Sequence, residues 1–172
     1  RASGVGANGP PSSLRGWEDT AMDDAVSSDI DDRSRMFVGL TRENLAAVTA
    51  SFVRTSATPD GVASLRGEAR HLLVGASHAY DNFLAAPLKA LQAADLALKL
   101  RVGLPSTDKR TLGKVLEYER RSCPVLSSVR QEWYTKFALR FRNKLSHPDE
   151  LIAFSPGMSV PIVESVHKAV PE

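Results

Sequence analysis

The chain has 172 residues, of which 42% are apolar and 24% are charged, and its formal net charge is +2. These values predict one soluble globular domain, and no apolar run is long enough to span a bilayer. The single cysteine, Cys123, excludes an internal disulfide framework and a multi-cysteine zinc site, so we expect a cytoplasmic protein.

Residues 1–35 are predicted to form a polar, acidic tail that is disordered or loosely ordered. The segment RASGVGANGPPSS is rich in Gly, Pro and Ser, and four arginines against seven acidic residues give residues 1–35 a net charge of −3. Such a segment buries too little apolar surface to offset the entropy of ordering. It is interpreted as a linker, as an acidic lid over a basic site, or as a segment without a specific role.

Residues 36–172 are predicted to form one helical domain. Thr41 is expected to cap its first helix, and turn residues follow that helix at TSATPDG. The predicted apolar face of this helix consists of Leu45, Val48 and Phe52.

A second, long helical run is indicated by apolar or small residues at spacings of three and four. Its first part is marked by Leu65, Ala69, Leu72, Ala76, Ala79 and Phe83. Pro87 is expected to kink or divide this run, because proline lacks the backbone N–H that a helix interior uses. The pattern then continues to Val102 and places Asp95 on its apolar stripe.

Two further helices are predicted after the GLPST break. Thr107 or Asp108 is expected to cap the first of them, and Pro124 is expected in the first turn of the second. The apolar positions are Leu112, Val115 and Leu116 in the first helix, and Val125, Val129, Trp133, Phe137 and Phe141 in the second.

The last predicted boundary lies at Pro148, which is expected to end the preceding helix. Ser159 is expected to cap a final helix that turns Val163, Val166 and Val170 inward. Because period-two alternation and hairpin signals are lacking, the sequence predicts an all-α fold, an antiparallel up-and-down helical bundle of four to five helices.

The charge is unevenly distributed along this domain. Residues 95–144 hold twelve Lys and Arg against five Asp and Glu, a net charge of +7. Such a basic half attracts nucleic acid, although the same residues also serve to solvate exposed helix faces. No metal site is expected from His71 and His78, because seven helical residues separate them by about 10.5 Å along the axis. His167 is expected to be partly buried, with its polar atoms satisfied.

The stretch RNKLSH combines three side chains that suit phosphoryl chemistry. Asn143 and His147 are four residues apart and share a helix face, and Arg142 directly precedes Asn143. Histidine can transfer a proton near neutral pH, arginine can hold a phosphate, and asparagine can orient the imidazole. Such a set needs neither a metal nor a cofactor to cleave RNA, whose 2′-hydroxyl supplies the nucleophile.

Two cations flank this set. Arg140 and Lys144 are positioned to contact an RNA backbone, while cations near a helix C-terminus are also favoured by the macrodipole alone. The local residues leave both interpretations open.

The surrounding pattern favours chemistry, because it resembles the HEPN superfamily. The hallmark of that family is R-x(4–6)-H near the end of a helix in an all-α bundle, and Arg142, Asn143 and His147 match it. The resemblance covers roughly residues 61–170. It implies that the protein is a metal-independent endoribonuclease in which Arg142 and His147 are catalytic and Asn143 supports them. It also implies a homodimer in which two chains form a composite active site.

The resemblance also implies a toxin–antitoxin, anti-phage or RNA-processing setting, with an antitoxin or regulatory protein as a possible partner. Asp149 stands two residues after the histidine, where a toxin subgroup regulated by nucleotidyltransferases carries tyrosine. Asp95 is a further candidate, which would pair with Arg142 or orient His147, or would simply form an i,i+4 ion pair with Lys99. The alternative functions are a non-catalytic helical interaction module, as some family members are, and an antitoxin-like binder with an acidic tail.

Overall fold

The computed structural model describes residues 31–37, 39–52, 56–146 and 155–170, and the regular structure in these ranges is entirely helical, which confirms the all-α prediction. The elements are α1 (Asp32–Arg35), α2 (Arg42–Ala50), α3 (Asp60–Gly75), α4 (Asn82–Arg101), α5 (Leu112–Ser122), α6 (Ser128–Glu132), a π-helix (Trp133–Ala138), α7 (Leu139–Ser146) and α8 (Pro156–Ala169). We find no candidate membrane-spanning helix in the described ranges.

The core is built around α4, which packs mainly against α3 and α8. Small and apolar side chains are buried on several sides of α4, including Ala90, Leu91, Ala93, Ala94 and Leu98. A helix that is apolar on most sides is a buried helix, and its alanines let neighbouring helices approach closely. The inward positions predicted for α8, which are Val163, Val166 and Val170, are buried as expected.

The long helical run predicted from the sequence is divided into two helices, but not at Pro87. Helix α3 ends at Gly75 and α4 begins at Asn82, whereas Pro87 lies inside α4. Proline removes one intrahelical hydrogen bond, the one to the carbonyl four residues earlier, which is that of Phe83. The hydroxyl of Ser159 donates to this carbonyl from α8, so the helix continues through Pro87.

Ser159 is therefore not the cap of the last helix. Helix α8 begins at Pro156 after the N-cap residue Ser155, and Ser159 lies buried in its first turns. The prediction failed because a serine before an apolar run looks the same whether it caps its own helix or bonds a neighbouring one.

Helix α5 begins later than predicted. Its N-cap is Thr111, and neither Thr107 nor Asp108 caps it. The Asp108 carboxylate instead accepts from the backbone N–H of Arg110 at 2.8 Å, within the loop that precedes the helix. The predicted apolar residues Leu112, Val115 and Leu116 are buried.

Pro124 lies in a loop and not in a first helical turn. Helix α6 begins at Ser128, with the hydroxyl of Ser127 accepting from a backbone N–H in its first turn. The loop is held by Glu119, which is 1% exposed and whose Oε1 accepts from the backbone N–H groups of Val125 and Leu126, both at 2.9 Å.

The burial pattern of residues 128–138 differs from the predicted one. Val129, one of the predicted inward residues, lies in α6 ahead of the π-helix and is 75% exposed, whereas Tyr134 and Ala138 of the π-helix are buried. The predicted spacing of four assumes an uninterrupted α-helix, and a π-helix has i→i+5 hydrogen bonds and a wider turn. The register of α7 is therefore set by this insertion.

Helix α1 packs against the turn between α3 and α4, and α2 packs against α3. Thr41 caps α2 as predicted, and Leu45 is buried, but Val48 is exposed at 37%. Residues 31–35, the end of the predicted tail, form α1 and its N-cap, and the Ser34 hydroxyl donates to the carbonyl of Ala76 at 3.0 Å. Residues 1–30 lie outside the described residues.

Candidate functional site

Helix α7 carries four of the predicted site residues on its last two turns. Arg140 and Asn143 are exposed, and Arg142 and Lys144 are half-buried. Leu145 is buried and anchors the helix. Arg140 and Asn143 therefore face the surface, whereas Arg142 and Lys144 are partly covered.

His147 and Pro148 lie outside the described residues. Helix α7 is described up to Ser146, which directly precedes His147. The predicted convergence of Arg142 and His147, and the ending of the helix by Pro148, thus stay predictions.

The π-helix determines how α7 is oriented on the bundle. The Tyr134 hydroxyl donates to the carbonyl oxygen of Ala94 in α4 at 3.1 Å, which fixes the π-helix to the core. The rings of Trp133, Phe137 and Phe141 follow one another with centroid distances of 5.5 and 4.7 Å. A π-turn inside a helix is often found at functional sites, and here it directly precedes the candidate residues.

Asp95 lies on α4, a helix that α7 contacts. Its Oδ2 forms an ion pair with Nζ of Lys99 at 3.0 Å, and only 14% and 10% of the two side chains are exposed. The predicted i,i+4 ion pair of Asp95 is thus present, while the orientation of His147 by Asp95 stays a prediction. Its Oδ1 is buried and has no hydrogen-bond partner among the described residues, so one acceptor of this carboxylate is unsatisfied.

Tyr134 experiences several charges besides this ion pair. Burial raises the pKa of the Tyr134 phenol well above its ordinary value, and the negative charge of Asp95 adds to this rise. The positive charges of Arg130 and Arg101 oppose the rise. The phenol therefore stays neutral at physiological pH, and both arginines lie close enough to act on it.

The structure shows a basic surface on α5 and the loop before it that was not predicted from the sequence. The guanidinium of Arg110 lies over the ring of Tyr118, 5.0 Å from its centroid, and Lys114 lies beside them in a depression of about 520 Å³. Arg121 borders the same depression and pairs with Glu117 at 2.7 Å. The Tyr118 ring is half-buried, and cations next to an accessible ring are elements from which single-stranded RNA surfaces are built. The i,i+4 spacing of these residues was the available signal.

The histidines of the described ranges are not part of a candidate metal centre, because no group of three or more His, Cys, Asp or Glu residues in these ranges could hold an ion. His167 is partly buried, its Nδ1 lies 2.8 Å from the carbonyl of Val163, and its ring stacks on Phe52, as expected for a satisfied histidine.

Comparisons of the chain with protein-family models, with curated proteins and with solved structures gave no match. The resemblance to the HEPN superfamily therefore rests on the residues at the end of α7 together with the all-α fold.

Proposed function

We propose that this protein is a metal-independent endoribonuclease of HEPN type. The observation that carries the proposal is the placement of Arg142 and Asn143 next to each other near the end of α7, five and four residues before His147 in the sequence. The exposed Arg140 and the half-buried Lys144 flank them. The net charge of +7 over residues 95–144 supports an anionic substrate.

The proposed reaction is an internal transfer at one phosphodiester. The RNA 2′-oxygen attacks the phosphorus, its proton passes to a base, and the bond from phosphorus to the 5′-oxygen breaks. The leaving 5′-oxygen takes up a proton, so the products carry a 2′,3′-cyclic phosphate and a 5′-hydroxyl. His147 transfers protons, and Arg142 stabilises the charge that develops on the phosphoryl oxygens.

Asn143 and the neighbouring cations act on the position of the substrate and of the imidazole. The Asn143 amide bonds either the imidazole or a phosphate oxygen. Arg140 and Lys144 bind the backbone on either side of the cleaved bond. A homodimer brings two such motifs together into a composite cleft, so activity is expected to depend on association of two chains. The proposed setting is toxin–antitoxin, anti-phage or RNA-processing biology in the cytoplasm, with a regulatory protein as partner.

The test is cleavage of a labelled RNA in the presence of excess chelator. Wild type is expected to cleave, whereas His147→Ala and Arg142→Ala lose at least about a hundredfold in rate. Arg120→Ala, an exposed arginine of α5, is the matched control and is expected to keep the rate. A substrate with a 2′-deoxy nucleotide at the cleaved position is expected to resist.

Three outcomes would count against the proposal. These are cleavage that requires a divalent metal, equal cleavage by wild type and both site variants, and cleavage of the 2′-deoxy substrate. Absence of cleavage together with tight binding of a protein partner would favour the alternative function, a non-catalytic helical interaction module. Sedimentation analysis checks separately whether two chains associate. In addition, the specific activity is expected to fall when dilution separates the chains.

A further inference from the structure

A cavity of about 250 Å³ lies between the start of α3, the ends of α4 and α8, and the beginning of the π-helix. Its walls are mainly apolar and include the buried residues Val62, Leu98 and Val170. The volume corresponds to about eight water molecules, which is room for an apolar body of about six to eight heavy atoms. Ligand sites are typically concave and apolar with a few convergent polar groups.

Two arginines supply the polar groups of this cavity. Arg130 reaches it from α6 and Arg101 from the last turn of α4. Neither forms an ion pair with a carboxylate in the part of the chain that the structure describes. Both arginines line the same cavity as Tyr134, and both positive charges act on its phenol.

In the described part of the chain, the one carboxylate that acts on the same Tyr134 phenol, that of Asp95, already has a cation as its partner. This carboxylate pairs with Lys99 at 3.0 Å. The macrodipole at the end of α4 accounts for a cation at Arg101, but not for Arg130, which is followed by further helix. Two cations on an apolar cavity, without carboxylate partners among the described residues, are suited to one anionic group on an apolar body.

We propose that this cavity binds a small amphiphilic anion, a carboxylate or phosphate ester with a short apolar chain or ring. The apolar body lies against Val62, Leu98 and Val170, and the anionic group lies between Arg101 and Arg130. The site is separate from the residues at the end of α7 that the proposed ribonuclease uses, so the two proposals are tested independently.

The test is an NMR titration of the isotope-labelled full chain with hexanoate, hexyl phosphate, hexanamide and acetate. Hexanoate or hexyl phosphate is expected to bind one site saturably, with a Kd on the order of 1 mM or lower and with shifts at Arg130 and Tyr134. Hexanamide lacks the charge and acetate lacks the apolar body, so each is expected to bind about tenfold more weakly or worse. The first two arms distinguish a carboxylate from a phosphate ligand.

Variants locate the site. Arg130→Gln and Arg101→Gln are each expected to raise the Kd of the tighter anion about tenfold, while Arg120→Gln on α5 leaves it unchanged. Ala97→Leu extends a wall residue into the cavity and is expected to abolish binding without removing a charge. Equal affinity for hexanoate, hexyl phosphate and hexanamide, no saturable binding of either anion, or unchanged affinity in both Arg130→Gln and Ala97→Leu would overturn the proposal.

Discussion

Ser159 of α8 donates a hydrogen bond to the carbonyl oxygen of Phe83 in α4, which is the carbonyl that Pro87 leaves without its usual donor. This bond joins residues 76 positions apart and is buried. It explains how α4 contains a proline and still continues to Arg101.

Ser159→Ala is therefore expected to destabilise the protein by about 1–3 kcal/mol, because a buried carbonyl loses its partner. The free energy of unfolding in urea measures this. The sharpest control is Pro87→Ala, which restores an intrahelical donor for Phe83. In that background Ser159→Ala is expected to cost clearly less, and an equal cost in both backgrounds would contradict the explanation.

Glu119 is predicted to hold the loop between α5 and α6. Glu119→Ala removes the acceptor of two backbone N–H groups, those of Val125 and Leu126, and is expected to destabilise by about 2–4 kcal/mol. Hydrogen exchange at these two amides is expected to accelerate. The matched control is Glu117→Ala, an exposed partner of Arg121, with an expected cost below about 1 kcal/mol. Similar costs for the two variants would refute the role of Glu119.

The buried Asp95–Lys99 pair leads to a double-mutant prediction. Lys99→Met leaves the Asp95 carboxylate buried without its cation and is expected to cost about 3–5 kcal/mol. The double variant Asp95→Leu with Lys99→Met removes both charges and is expected to unfold with nearly wild-type free energy. If the double variant is as unstable as Lys99→Met alone, the charge pairing does not account for the loss.

His167 is expected to make stability depend on pH between about 6.5 and 4. Burial lowers the pKa of His167 from 6.5 to about 4, with the charges of Arg66 and Arg70 contributing, while the hydrogen bond to Val163 opposes the shift. The unfolded chain binds the proton first as pH falls, so the stabilisation is complete above pH 6.5 and is lost toward pH 4. With allowance for partial exposure, the loss is about 1–2 kcal/mol.

The measurement is urea unfolding of wild type and His167→Phe at pH 7 and pH 4.5. The variant keeps a ring to stack on Phe52 and removes the titrating group. The difference in free energy between the two proteins is expected to shift in favour of the variant at the lower pH. A difference that is the same at both pH values would contradict the prediction.

The proposed function predicts a salt-dependent contribution from the cations on α7. Arg140→Ala and Lys144→Ala are each expected to weaken RNA binding at every sequence and to reduce the slope of log K against log salt by about 1. Lys136→Ala is the control, because that exposed lysine pairs with Glu132 at 2.6 Å. All binding is measured in proteins that also carry His147→Ala, so that the RNA is not cleaved during the measurement. An unchanged slope in Arg140→Ala and Lys144→Ala would show that these two residues do not contact the RNA backbone.

The sequence alone was sufficient for several local features of this protein, although it misplaced the starts of α5, α6 and α8. The spacing of apolar residues predicted an all-α fold, and Thr41, the inward valines of α8 and the Asp95–Lys99 pair were found where the pattern placed them. Each of these depends on neighbours within one or two helical turns, which a periodic pattern encodes directly.

Only the tertiary structure decided the remaining features. The continuation of α4 through Pro87 needs Ser159 from a distant helix, and the burial of Glu119 depends on a loop that folds back over it. The π-helix shifts the register ahead of Arg142, and Tyr134 is anchored to α4. In each case a buried polar group takes a partner that is distant in sequence or a non-α hydrogen-bond pattern, and neither is expressed in the spacing of the residues.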